Sequence, residues 1–171
     1  MYTRNLLWLV SLVSAAPLYA ADVPANTPLA PQQVFRYNNH SDPGTLDPQK
    51  VEENTAAQIV LDLFEGLVWM DGEGQVQPAQ AERWEILDGG KRYIFHLRSG
   101  LQWSDGQPLT AEDFVLGWQR AVDPKTASPF AGYLAQAHIN NAAAIVAGKA
   151  DVTSLGVKAM DDRTLEVTLE Q

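Results

Sequence analysis

The chain has 171 residues, 46% apolar and 9% aromatic, enough for the core of about one ordinary domain and too much for a disordered tail. A formal net charge of −9, offset by no basic run, argues against holding nucleic acid by counterion release. Cysteine is absent, which excludes disulfides, thiolate metal sites, a cysteine nucleophile and a lipid-modified N-terminal cysteine.

In chain order, residues 1–20 read as a secretory signal. Arg4 is the positive start, Leu6 to Val13 the apolar run, and Pro17-Leu18-Tyr19-Ala20 the cleavage region. Cleavage after Ala20 gives a mature start at Ala21-Asp22-Val23-Pro24. The apolar run is too short to span a bilayer comfortably, which weighs against an anchor helix. Pro24, Pro28 and Pro31 then make an extended lead-in, and Val34 to Asn38 alternates weakly as a strand. Asp42-Pro43-Gly44 predicts a turn, followed by Leu46-Asp47-Pro48. From Asn54 to Glu65 the spacing predicts a helix. Asn54 or Thr55 is its cap, Ile59, Val60, Leu63 and Phe64 its apolar face, and Gly66 its stop. Val68 to Met70, a turn at Asp71 to Gly74, a further strand, a turn at Asp88-Gly89-Gly90 and the alternating Tyr93 to Leu97 predict a meander.

The stretch from Trp103 to Arg120 is a turn feeding a capped helix. Asp105-Gly106 is the turn pair, and Pro108 keeps Gln107 extended. Thr110 is the N-cap, with Asp113 at the N3 place of a capping box and Glu112 adding negative charge at the positive end of the helix dipole. Phe114, Val115, Trp118 and Val122 form one apolar face, and Asp123-Pro124 ends it. A Pro-rich loop follows over 123–130, then a short helix from Ala142 to Ala147 stopped by Gly148, then an alternating strand from Thr164 to Leu169. There is no internal repeat and no low-complexity segment.

Reactive constellations are weak. His40, His96 and His138 show no ligand spacing, and there is no nucleophile elbow or phosphate-cradling loop. The acid pairs Glu52-Glu53, Glu112-Asp113 and Asp161-Asp162 are sequence neighbours, which do not face each other on a helix, so capping and solvation explain them. Trp69, Trp84, Trp103 and Trp118 are expected in the core.

The wording Trp-Ser-Asp-Gly-x-Pro-Leu-Thr-Ala-x-Asp-Phe-Val-x-x-Trp-x-Arg over 103–120 resembles the periplasmic oligopeptide-binding proteins of ABC importers, the family 5 extracellular solute-binding proteins. Leu46-Asp47-Pro48, Asp62 to Leu67, Trp84-Glu85 and Phe95 to Arg98 match the same pattern, so the resemblance spans residues 21–171. It implies an α/β fold of the type II periplasmic binding protein kind, incomplete here. Residues 21–65 would begin lobe I, and 66–171 would form most of a small extra α/β domain, with the family continuing for several hundred residues more. The expected chain is thus an N-terminal fragment. For the intact protein the resemblance implies a monomer, free in a Gram-negative periplasm. It would bind short peptides by their main chain and pass them to an inner-membrane permease, without cofactor, metal or catalytic residue.

The resemblance also implies a site. Glu52 matches the family's acidic cleft residue, Asn54 stands where a small apolar residue offers its backbone, and Phe130 stands where typical oligopeptide binders carry tyrosine. Ser128-Pro129-Phe130 with Ile139 to Ala142 looks closer to the murein-tripeptide branch, whereas Glu52 points to the oligopeptide branch. Most pocket walls would lie beyond residue 171, so this chain alone is expected to bind weakly or not at all. Two other classes differ in kind. A secreted hydrolase of cell-wall peptides would need a nucleophile or metal constellation. A chaperone-like binder would prefer unfolded protein to small free peptides.

Overall fold

A computed structural model describes residues 27–28, 31–32 and 34–171. The expected signal segment over 1–20 lies outside them. The chain divides into two units, residues 1–38 and 39–171. In the first, Phe35 and Tyr37 stack with ring centroids 6.0 Å apart, but Val34 to Asn38 forms no strand and Phe35 is 88% exposed. Extended backbone becomes a strand only when a neighbour takes up its amides and carbonyls. Among the described residues this run belongs to neither sheet.

The second unit holds the elements. Helix α1 spans Asn54–Leu63. Strands β1 (Val68–Met70) and β2 (Val76–Pro78) form a hairpin. Strands β3 (Ala81–Leu87), β4 (Arg92–Leu97), β5 (Val157–Asp161) and β6 (Thr164–Thr168) form an antiparallel sheet in the order β3-β4-β6-β5. Between β4 and β5 lie helices α2 (Ala111–Val122), α3 (Ala131–Gln136) and α4 (Ala142–Val146). The α/β class is as expected.

Residues paired across antiparallel strands share a face. One face carries the rows Trp84–Phe95–Leu165–Ala159 and Ile86–Tyr93–Val167–Val157. Helix α2 packs against this sheet at β5 and β6, burying Ala111, Val115 and Val122 in one cluster with Leu165 and Val167. The opposite face carries Glu85–Ile94–Glu166–Lys158 and the pairs Arg83–His96 and His96–Thr164. Its charges meet across strands: His96 lies 2.9 Å from Glu85, and Arg92 lies 3.3 Å from Glu166. That face is the solvated one.

The α2 expectation holds in detail. The capping box forms, with the Thr110 N–H donating to Asp113 Oδ2 at 2.7 Å, and Asp123 closes the helix by donating to the Gln119 carbonyl. Helix α1 departs from expectation at both ends. Its cap is Glu53, not Asn54 or Thr55, and no side chain bonds the first turn; the Glu53 carboxylate instead accepts the Gly44 N–H at 3.4 Å. The helix ends at Leu63 because Phe64 turns extended, before Gly66 is reached. Three elements lacked an expectation, since the one strand expected between the turns at Asp71 and Asp88 is two, β2 and β3, and neither α3 nor β5 was expected. Helix α3 has no polar cap, since Phe130 sits at its N-cap in helical geometry. Strand β5 did leave a signal, the alternation of Val157 and Ala159 before the turn at Asp162-Arg163.

The phrase Ile139-Asn140-Asn141 joins the helices to the sheet. Ile139 bridges Leu169, the Asn140 amide donates to Thr168 Oγ1 at 3.2 Å, and Asn141 takes a left-handed turn at φ 64°. Gly156 is required beside it: a Cβ there would lie 2.6 Å from the Asn140 side chain and 2.7 Å from the Thr168 carbonyl. These residues therefore have a structural use whatever the ligand.

Candidate functional site

The segment leading into α1 is fastened to the outer side of α2. Asp47 begins it: its N–H donates to Thr45 Oγ1 at 3.1 Å, and its carbonyl accepts the Lys50 N–H at 2.9 Å, forming a turn. Arg120, in the last turn of α2, then grips this turn. Its Nη2 lies 2.6 Å from Asp47 Oδ2, its Nη1 lies 2.9 Å from Oδ1, and Nη1 also reaches Gln49 Oε1 at 2.6 Å. This is a two-pronged guanidinium–carboxylate pair, the strong form of such a contact. The Gln49 amide donates back to the Gly117 carbonyl. The hydrogen bond from Arg120 is the main reason the Asp47 carboxyl is held down to about 2.

Two phrases read separately in the sequence thus meet in space. The Asp of Leu46-Asp47-Pro48 and the Arg that closes the 103–120 stretch are 73 residues apart and directly bonded. Sequence reasoning missed the pair. The only signal was that both sit in family-like phrases.

Just past the fastened turn, Val51 is buried, Glu52 and Asn54 are exposed, and Ala56 is fully buried. Asn54 is the first residue of α1. Phe130 reaches α2 by the other route, along the chain. After Val122 the backbone turns at Asp123, which accepts the Lys125 and Thr126 N–H groups, and Ser128 Oγ accepts the Phe130 N–H at 3.2 Å. The Phe130 ring is half-buried and stacks on Tyr133 with centroids 6.1 Å apart. Both candidate loops are therefore hung on α2, one through Arg120 and Gly117, the other through the turn at its C-terminus.

Two hollows are present elsewhere. One of about 560 Å³ lies between the end of α1 and the turn before α2, lined by Leu63, Phe64, Trp103, Leu109 and Phe114 with Gln80 and Asp113. The other, about 570 Å³, is polar and lies by Arg83, His96 and Arg163. Neither is lined by Glu52, Asn54 or Phe130. Trp118 packs on the core as expected and Trp84 is half-buried. Trp69 (54%) and Trp103 (41%) are exposed, a correction: the β1–β2 hairpin carries Trp69 on its open side and the first hollow leaves Trp103 uncovered. Among the described residues no group of three His, Cys, Asp or Glu could hold a metal ion, and no helix is long and apolar enough to cross a membrane.

Comparison with known proteins follows the same line. The sequence pattern of "Bacterial extracellular solute-binding proteins, family 5 Middle" matches residues 75–171. The "Probable deoxycholate-binding periplasmic protein YgiS" of Escherichia coli is 99% identical over 171 residues, which are all of this chain and 32% of that protein. The periplasmic oligopeptide-binding protein OppA of Salmonella typhimurium is 50% identical over 95% of this chain and 30% of its own length. The structure of the Escherichia coli murein tripeptide binding protein MppA superposes with a TM-score of 0.72 at 47% identity, covering 75% of this chain and 25% of that one. The chain spans about a third of the length of the curated relatives it matches.

Proposed function

Because the chain belongs to the family 5 bacterial extracellular solute-binding proteins, we propose that it supplies one wall of the solute cleft in the periplasmic component of an ABC importer. In this reading residues 1–20 are a cleaved signal, 21–65 begin lobe I, and 66–171 form most of the small α/β extra domain of that lobe. The product is free of the membrane, monomeric and not an enzyme, and hands its solute to an inner-membrane permease. The observation that carries the reading is the attachment of both candidate loops, with Glu52 and Asn54 on one and Phe130 on the other, to the single helix α2. A cleft wall needs its contact groups set by one rigid element.

Short peptides held by main-chain pairing are the first ligand reading. An extended peptide offers amides and carbonyls to backbone near Asn54, while varied side chains enter roomy pockets. The exposed carboxylate of Glu52 suits a peptide's cationic groups. Proteins named for oligopeptides or murein peptides match at 50%, 49% and 45% identity. A second reading has its own support: the relative matching at 99% is named for deoxycholate. Deoxycholate is a largely apolar steroid body with two hydroxyls and one carboxylate. Its body suits Phe130, which lacks a hydroxyl and stacks on Tyr133, whereas its charge is repelled by Glu52.

Calorimetric titration of the full-length protein with trialanine, trilysine and sodium deoxycholate decides between them. Heat with a peptide and none with deoxycholate supports the first reading, and the reverse pattern replaces it. Silence with all three rejects both ligand assignments. Release of cleaved peptide during the titration would overturn the assignment as a binding protein and favour the hydrolase.

A further inference from the structure

We infer that Arg120 is a positioning residue for the solute cleft, acting through Asp47 and Gln49 on the segment that carries Glu52 and Asn54. The inference rests on the proposed cleft wall and adds the device that sets it.

Glu52 is exposed, so its own packing does not fix where it stands. Its position comes from its flanks. On the C-terminal side that flank is α1, anchored by fully buried Ala56. On the N-terminal side it is Gln49, whose side chain bridges Arg120 Nη1 and the Gly117 carbonyl, and Asp47, gripped by both guanidinium nitrogens. Asp47 Oδ1 also accepts the Gln49 N–H at 3.1 Å, so the clamp reaches the backbone and not only side chains. A guanidinium fork sets both distance and plane, which an ammonium does not. Since α2 also leads into the Phe130 turn, the clamp registers one candidate contact loop against the other.

An ordinary surface ion pair makes a different prediction. Arg120 is 47% exposed, and pairs of that kind hold little of a protein's global stability. A positioning role predicts small change in unfolding and large change in binding. The test uses the full-length protein with Arg120→Ala, Arg120→Lys, Asp47→Ala and the double alanine variant. Trialanine and sodium deoxycholate are the probes, and backbone amide exchange is followed over residues 50–57.

Arg120→Ala is expected to accelerate exchange at 50–53 and to weaken whichever probe the parent binds by about tenfold, with the urea midpoint nearly unmoved. Arg120→Lys recovers only part of the affinity, and the double variant is no worse than either single one, because both remove the same contact. Unchanged exchange at 50–53 in Arg120→Ala overturns the inference. So does unchanged affinity in a parent that binds. If the parent binds neither probe, the ligand reading fails on its own, and the exchange data still decide whether Arg120 holds the segment.

Discussion

Helices α1 and α2 both announce themselves by apolar spacing, yet among the described residues only α2 has its apolar face well covered. Helix α2 has a capping box, acids in its first turn, Arg120 in its last, and three residues buried against the sheet. Helix α1 has no side-chain cap bond, no acid within its first turn and no base in its last, and one buried residue, Ala56. Leu61, Leu63 and Phe64 of its C-terminal end are 72%, 60% and 44% exposed. Periodicity reports that a face is made to be covered; it does not say by what. For α2 the cover is β5 and β6. For α1 we propose that it is the remaining two-thirds of the polypeptide in full-length relatives, seated on Leu63 and Phe64 beside the 560 Å³ hollow.

The sharpest way to break this comparison is to shorten one apolar side chain under each helix. Leu165 is fully buried beneath α2, and Leu165→Ala should remove about 2–5 kcal/mol from urea unfolding of the full-length protein. Leu63→Ala should cost about 1.5–3 kcal/mol there, but less than about 0.5 kcal/mol in the 171-residue chain, where the side chain is already wet. Equal effects of Leu63→Ala in the two lengths would mean that its face stays uncovered, and the asymmetry between the helices would then have another origin.

The same asymmetry explains what was legible beforehand. The 103–120 stretch could be read nearly to the residue because its signals are local: a turn pair, a cap, an N3 acid, an Asp-Pro stop. Strands β1, β4 and β6 were legible for the same reason, since alternation is a property of the strand itself, but the single meander expected here is two separate sheets, β1–β2 and β3-β4-β6-β5. Val34 to Asn38 alternates too, but strand pairing is not local, and this run joins neither sheet among the described residues. The Glu53 cap was hidden because a nearer-looking candidate, Asn54, is itself the first helical residue. Of the site, Glu52, Asn54 and Phe130 were legible only through resemblance. The Asp47–Arg120 clamp that sets the first two spans 73 positions, and no pattern in either segment encodes it.

Capping offers a milder test. Thr110→Ala should destabilise by about 1 kcal/mol, as the loss of an N-cap typically does. At the matching place on α1, Glu53→Ala should cost less, because Glu53 makes no cap bond and loses only its long contact with the Gly44 N–H. Replacing it with Ser should stabilise by a few tenths of a kcal/mol, by supplying a bond the first turn lacks. Chemical denaturation of the three variants measures this. A loss at Glu53→Ala as large as that at Thr110→Ala would show the two ends to be equally capped.

The smallest expected effect concerns the contact that joins the two helices. Arg120 holds the Asp47 carboxyl down to about 2, well below the ordinary aspartate range. A carboxyl with a lowered folded-state pKa stabilises the fold above its unfolded value and loses that contribution as pH falls through the folded one. The stability difference between the parent and Asp47→Asn should therefore be level above about pH 5, shrink below about pH 4, and vanish towards pH 2. Both partners are partly exposed, so the difference should also fall in molar salt. Urea midpoints from pH 2 to 7 give the curve. A difference that persists undiminished at pH 2 would mean that the shape of the Asp47 turn, rather than its charge, ties the α1 segment to α2.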